Sequence, residues 1–379
     1  MNKLVAAPVV VALAALGIAA PAAAGESCMG KTATITGSNG ADRIEGTRFA
    51  DVVAGLGGND VIKGMSGNDM ICGGEGNDKI EGANGHDKVE GHGGNDTMQG
   101  GRGDDRLDGG ADADTASYKN SVTPVDANLD IRAAIGEGAD ALVEVERLLG
   151  SDHADTLTGD ANNNSITGGG GSDRIEGLGG PDVQKGGTGD DRISGGDGLD
   201  SHYGGAGDDF MDGGEGQDTP SFKFSPDPVT VDLEEGTATG EGEDTFVNME
   251  IVAGSRHGDT LLGTAESDTF YPLGGADEID GRDGFDFVVY AQSPAAVLVD
   301  LGAGSASGGE GADTVTSIEG AVGSAYDDEL RGDDFENSLY GLGGDDTLDG
   351  RGGEDTLIGG PDTDSCSNGE TVVQCEATP

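Results

Sequence analysis

This sequence is short of what a conventional globular core or a phosphate-binding surface is made from. It has no tryptophan, 4% aromatic residues, and 20 Lys and Arg against 73 Asp and Glu in 379 residues, for a formal net charge of -53. The scarcity of cations excludes ordinary nucleic-acid binding, which needs Lys and Arg to neutralise phosphates. It also disfavours anionic membranes. After residues 4–20 no apolar stretch is long enough to span or insert into a bilayer. Neither HExxH nor GxSxG occurs, and only residues 25–36 separate the N-terminal apolar stretch from the first repeat, too few for a catalytic domain. An enzyme is therefore not expected. Low hydrophobicity with high charge would ordinarily mean disorder.

What the sequence does have is 74 glycines on a regular beat. Residues 73–99 read GGEGNDKIE GANGHDKVE GHGGNDTMQ, three nine-residue blocks with Gly first, Asp sixth and an apolar residue eighth. The sixth positions continue as Asp42, Asp51, Asp60, Asp69, Asp78, Asp87, Asp96, Asp105 and Asp114. A second run carries Asp155, Asn164, Asp173, Asp182, Asp191, Asp200, Asp209 and Asp218. A third carries Asp259, Asp268, Asp277 and Asp286, and a fourth Asp328, Asn337, Asp346, Asp355 and Asp364. Such periodicity builds solenoids rather than one large core. The eighth position is apolar in most blocks, but Gln184, His202 and Pro220 break the rule, so the second run is expected to pack least well.

Three related inserts separate the runs, beginning DTASYKNSV at Asp114, DTPSFKFSP at Asp218 and DFVVYAQSP at Asp286. Each holds an aromatic (Tyr118, Phe222, Tyr290), expected to plug the core, then a strand-like stretch, a Gly-rich turn and an acidic-apolar stretch around Glu146, Glu250 or Glu319. The organisation read from this is a signal peptide at 1–24, a short segment at 25–36, runs at 37–117, 150–221, 254–289 and 323–367, inserts at 118–149, 222–253 and 290–322, and a tail at 368–379. Lys3, the apolar residues 4–20 and Ala22-Ala23-Ala24 carry the signal-peptide reading, hence an expectation of secretion to the extracellular space. Four cysteines suit an oxidising compartment, with Cys366–Cys375 and Cys28–Cys72 the expected bridges and free thiols the alternative.

A block with one apolar residue cannot form an amphipathic helix, and Gly opposes helix on propensity. The block fits a tight GGxGxD loop followed by a very short strand whose middle side chain points inward. Two blocks make one coil, with strands on opposite faces around a thin core. Aspartates on successive coils then stack about 4.8 Å apart and repel. A hard divalent cation removes the conflict: calcium takes six to eight oxygens, which carboxylates and loop carbonyls can supply. Magnesium prefers a tighter octahedron and zinc would want His or Cys at fixed spacing.

The blocks GGEGNDKIE, GHGGNDTMQ, GGTGDDRIS and GLGGDDTLD resemble the RTX, or haemolysin-type, calcium-binding nonapeptide GGxGxDxUx over about 60% of the chain. The resemblance implies an all-β parallel β-roll, or β-solenoid, interrupted by the three β inserts, loaded with calcium and largely disordered without it. One ion linking each block to the second block after it gives on the order of 18 ions. The 24 aspartates named above are the candidate metal ligands. The five histidines are expected at the surface, and Arg102-Gly103-Asp104 and the pairs Asp104–Asp105 and Asp208–Asp209 fall at repeat positions rather than forming sites of their own. The function expected is a secreted calcium-binding structural protein. The alternative is an adhesin or surface-binding module, for which an exposed aromatic patch would speak.

Overall fold

The computed structural model describes residues 27–309 and 311–375, so the expected signal peptide lies outside the described residues. Those residues contain strands and turns and no helix. They divide at residue 177 into two compact units.

In the first unit, strands pair in parallel at a register of eighteen residues, which makes each coil two blocks. One wall stacks Arg43–Glu45, Val61–Lys63, Lys79–Asn84 and Thr97–Arg102; the other stacks Val52–Gly57, Met70–Glu75, Lys88–Gly93 and Arg106–Ala111. Eighth-position side chains meet between the walls. Ile44, Ile62, Ile80 and Met98 from one side and Val53, Ile71, Val89 and Leu107 from the other are at most 1% exposed. The second unit repeats the plan, for example with Ser201–Ala206 on Val183–Thr188 and Phe210–Gly216 on Arg192–Gly198.

The close stacking is what demands glycine. Gly76 and Gly94 have φ of 118° and 107°, and a Cβ on either would lie 2.5 Å from a carbonyl oxygen of the loop one coil earlier. No L side chain fits such a corner.

Each insert is a small antiparallel meander spliced into one wall. In the first, Asp126–Asn128 pairs with Ala133–Ile135, which pairs with Ala139–Val143. The outer strands still pair in parallel with ordinary coils, Ala141 opposite Arg106 and Asp126 opposite Thr156. The second and third inserts build the same meander from Thr230–Asp232, Thr237–Thr239 and Glu243–Val247, and from Leu298–Asp300, Ser305–Ser307 and Ala312–Thr316. Tyr118, Phe222 and Tyr290 are buried. Tyr118 and Tyr290 also donate through their hydroxyls to Asp140 and Asp313, at 3.2 and 2.8 Å. The disulfides are Cys28–Cys72 and Cys366–Cys375.

One expectation needs correction. His202 is not at the surface but fully buried, because it occupies an inward eighth position, next to Gln184 and Pro220 on neighbouring coils. Neither ring nitrogen has a hydrogen-bond partner among the described residues, and burial pushes the imidazole pKa down to about 4.

Candidate metal centre: a ladder of aspartates

The sixth residue of each block sits where the loop turns into the strand. Its backbone N–H donates to Oδ1 of the aspartate one coil later. In the first run Asp42 donates to Asp60, Asp51 to Asp69, Asp60 to Asp78, Asp69 to Asp87, Asp78 to Asp96, Asp87 to Asp105 and Asp96 to Asp114, all at 2.7–2.8 Å. The same bonds run Asp155 to Asp173, Asp182 to Asp200, Asp191 to Asp209, Asp200 to Asp218, Asp259 to Asp277, Asp268 to Asp286, Asp328 to Asp346 and Asp346 to Asp364. One carboxylate oxygen is thereby held rigidly.

The second oxygen separates the candidates into two kinds. In Asp60, Asp69, Asp78, Asp87, Asp96, Asp105, Asp114, Asp200, Asp209, Asp218, Asp286, Asp346 and Asp355 it is buried and has no partner among the described residues. An orphaned anionic oxygen is costly. Desolvation accordingly lifts the Asp60, Asp78 and Asp87 carboxyls to about 6 and the Asp96, Asp105 and Asp346 carboxyls to about 7.

In Asp42, Asp51, Asp155, Asp259, Asp268 and Asp328 the protein closes the loop itself. The second residue of these blocks is Ser or Thr, and it offers both backbone N–H and hydroxyl. Ser38, Thr47 and Thr264 place both donors on Oδ2 of Asp42, Asp51 and Asp268. Ser151 and Ser255 bond Oδ2 through the amide at 2.5 Å and Oδ1 through the hydroxyl at 3.0 and 2.8 Å, and Ser324 does the same for Asp328. Asn164 and Asn337 occupy two further closed loops, accepting from the amides of Asp160 and Asp333 at 2.7 Å. A neutral amide thus stands where the loop closes without extra charge. The closed loops are the first two blocks of every run, one full coil each.

Asp173, Asp182, Asp191, Asp277 and Asp364 are also buried in the ladder. Asp277 is pushed up to about 8, by burial and then by neighbouring Asp313.

Sequence reasoning missed the residues that carry the ladder through the inserts. Asp140, Asp244 and Asp313 accept from the amides of Asp105, Asp209 and Asp277 at 3.0 Å. Glu146, Glu250 and Glu319 accept from Asp114, Asp218 and Asp286 at 2.9–3.1 Å. Beyond each meander, Asp155, Asp259 and Asp328 take the amides of Val125, Val229 and Val297. The signal was present: these acidic residues fall at matching places when the three inserts are aligned.

The donor set fits calcium. The orphaned atoms are hard oxygens, and the first glycine of each open block packs the carboxylate against a carbonyl: a Cβ on Gly73 would lie 2.3 Å from Asp78 Oδ2 and 3.0 Å from the Gly91 carbonyl oxygen. The one mixed cluster among the described residues, Cys72 with Glu90 and His92, is no centre, because the Cys72 sulfur is bonded to Cys28.

Coils with an aspartate ladder and glycine loops define a calcium-binding parallel β-roll. A family profile described as the RTX calcium-binding nonapeptide repeat matches residues 34–53, 45–80, 81–116, 149–184, 185–220, 254–288, 322–357 and 331–366. These segments cover more than half the chain, and the protein belongs to this family; the inserts fall in the gaps between matches. No curated protein matches the chain.

Proposed function

We propose that the protein is a secreted structural element that folds where calcium is abundant and has no catalytic activity of its own. The observation that carries this reading is the row of buried carboxylate oxygens without partners, which a hard cation would complete. The N-terminal apolar stretch and the two disulfides support secretion. Folding is then linked to binding, since an ion held by the folded loops and not by the open chain stabilises the former. Calcium sites of extracellular modules work at about 0.1–1 mM, which sets the expected range.

The test is far-ultraviolet circular dichroism of residues 25–379 titrated with calcium after chelation, with magnesium as control. A cooperative gain of β signal with calcium alone supports the reading. A spectrum indifferent to chelator refutes it.

A second reading, a surface-binding module, is favoured by one feature: Phe224 is 63% exposed and its ring centroid lies 5.5 Å from that of Tyr203.

A further inference from the structure

On one wall of the second unit, the row of side chains on the face away from the core runs Lys185, Tyr203, the buried Ser221, Ala253, Tyr271 on successive coils. The two small residues make a floor between two tyrosines, which stand three coils apart, about 14 Å at the strand spacing. Above this floor lies a groove of about 320 Å³, lined also by Lys223, Leu273 and Gln292. Those three residues also line an adjoining cavity of about 550 Å³ with Phe224 and Arg256. Lys185 and Lys223 hold their ammonium groups 5.0–5.3 Å from the centroids of both Tyr203 and Phe224.

The charge of this surface departs from the average of the chain. Among the described residues lining the two cavities there is no Asp or Glu, where the composition alone would place about three. No described carboxylate lies within 4.0 Å of the charged groups of Lys185, Lys223 or Arg256. By contrast, Lys63 on the equivalent wall of the first unit pairs with Glu81 at 2.6 Å. Cations resting on aromatic faces, with no carboxylate drawn to them, form an anion-accepting window in a polyanion.

We propose that this groove binds a carboxylated polysaccharide. Tyrosine rings at either end offer faces for sugar rings, and the hydroxyls of the half-buried Ser201 and Thr219 can bond sugar hydroxyls. Lys223 and Arg256 would pair with the carboxylates. A duplex nucleic acid, with one charge per about 1.7 Å, would meet the chain's -53 far beyond this window. The proposal rests on calcium-driven folding, because the groove exists only on assembled coils.

The experiment is calorimetric titration of the calcium-loaded full chain with polygalacturonate oligomers, alongside dextran, single-stranded DNA and anionic phospholipid vesicles. Circular dichroism of each sample reports folding independently. The expected result is saturable binding of polygalacturonate only, weakened at least tenfold by Tyr203→Ala and by Lys223→Glu with Arg256→Glu, at an unchanged calcium midpoint. Folded protein that ignores polygalacturonate, prefers DNA or vesicles, or binds equally well in all variants through calcium bridging, overturns the groove. A chain that does not fold with calcium overturns the underlying reading instead.

Discussion

Removing calcium should not unfold the chain uniformly. The first run places seven orphaned carboxylate oxygens, Asp60 to Asp114, on consecutive loops. At about 1–3 kcal/mol for each unsatisfied buried group, calcium removal exposes the folded run to roughly 7–21 kcal/mol. That matches or exceeds the 5–15 kcal/mol by which whole domains are stable. The opening coil of each later run carries no such debt, and it adjoins an insert with its own apolar interior. The stretch 222–271 buries Phe222, Val231, Phe246, Val252, Leu261 and Phe270, each contributing about 1.5–3 kcal/mol. Residues 118–167, 222–271 and 290–340 should therefore persist as folded islands in chelator, while 55–117 opens.

Hydrogen exchange read by mass spectrometry at pH 7.5, with calcium or chelator, checks this directly. Peptides from the three islands should retain slow exchange without calcium, and peptides from 64–111 should lose it. A paired variant sharpens the test. Ser255→Ala with Thr264→Val removes two hydroxyls bonded to Asp259 and Asp268, at 2.8 and 3.0 Å, and takes acceptors from the amides of His257 and Glu266. Two bonds to charged groups are together worth about 3–6 kcal/mol. The variant should open 222–271 in chelator and leave 290–340 protected. If every peptide loses protection together, or if the variant behaves as wild type, the division into closed and open loops has no energetic meaning.

Three other outcomes follow from the ladder and the core. Asp87→Asn, in an open loop, should raise the calcium midpoint of the dichroism titration, whereas Asp51→Asn, in a closed loop, should leave it within error; equal shifts would refute the distinction. Acid should partly replace calcium: Asp60, Asp96, Asp105 and Asp346 titrate at about 6–7 folded against about 3.8 unfolded, so the folded chain holds more protons in that window and loses stability as pH rises through it. In chelator the β signal should be larger at pH 4.5 than at pH 7.5, and the reverse order would contradict the burial of these charges. His202→Leu should raise thermal stability in calcium by about 1–3 kcal/mol by replacing an unpaired buried imidazole with an apolar side chain, and a loss of stability would show that the ring is satisfied.

The coil plan was legible because period and chemistry coincide. Gly first, Asp sixth and one apolar residue eighth leave few backbones that satisfy all three, and the inward set Ile44, Ile62 and Ile80 is what that spacing demands. The sorting of aspartates was harder to read, since Asp51 and Asp60 occupy the same block position. The difference lies four residues earlier, where Thr47 offers a hydroxyl and Leu56 does not. The meanders were illegible as such, because their pairings depend on contacts with coils far along the chain, such as Ala141 with Arg106.

The placement of the closed coils in the three later runs follows from what an insert does to the ladder. An ordinary coil receives a neighbour of identical shape on each side, so its open loops can share oxygens with the next turn. A meander ends that repetition: Asp140 and Glu146 still accept the two ladder amides, but the segments leading into the strands that the next coil meets, 119–125 and 143–146, hold no glycine. The first coil after the meander consequently faces a surface with less to offer an ion. Ser151 closes one of its loops and the neutral Asn164 reduces the charge of the other. The third run closes both loops with hydroxyl residues, Ser255 and Thr264, and the fourth repeats the first pairing as Ser324 with Asn337. Each insert and its closed coil thus form a protein-only start, from which coils that need the cation can be added on a preformed edge.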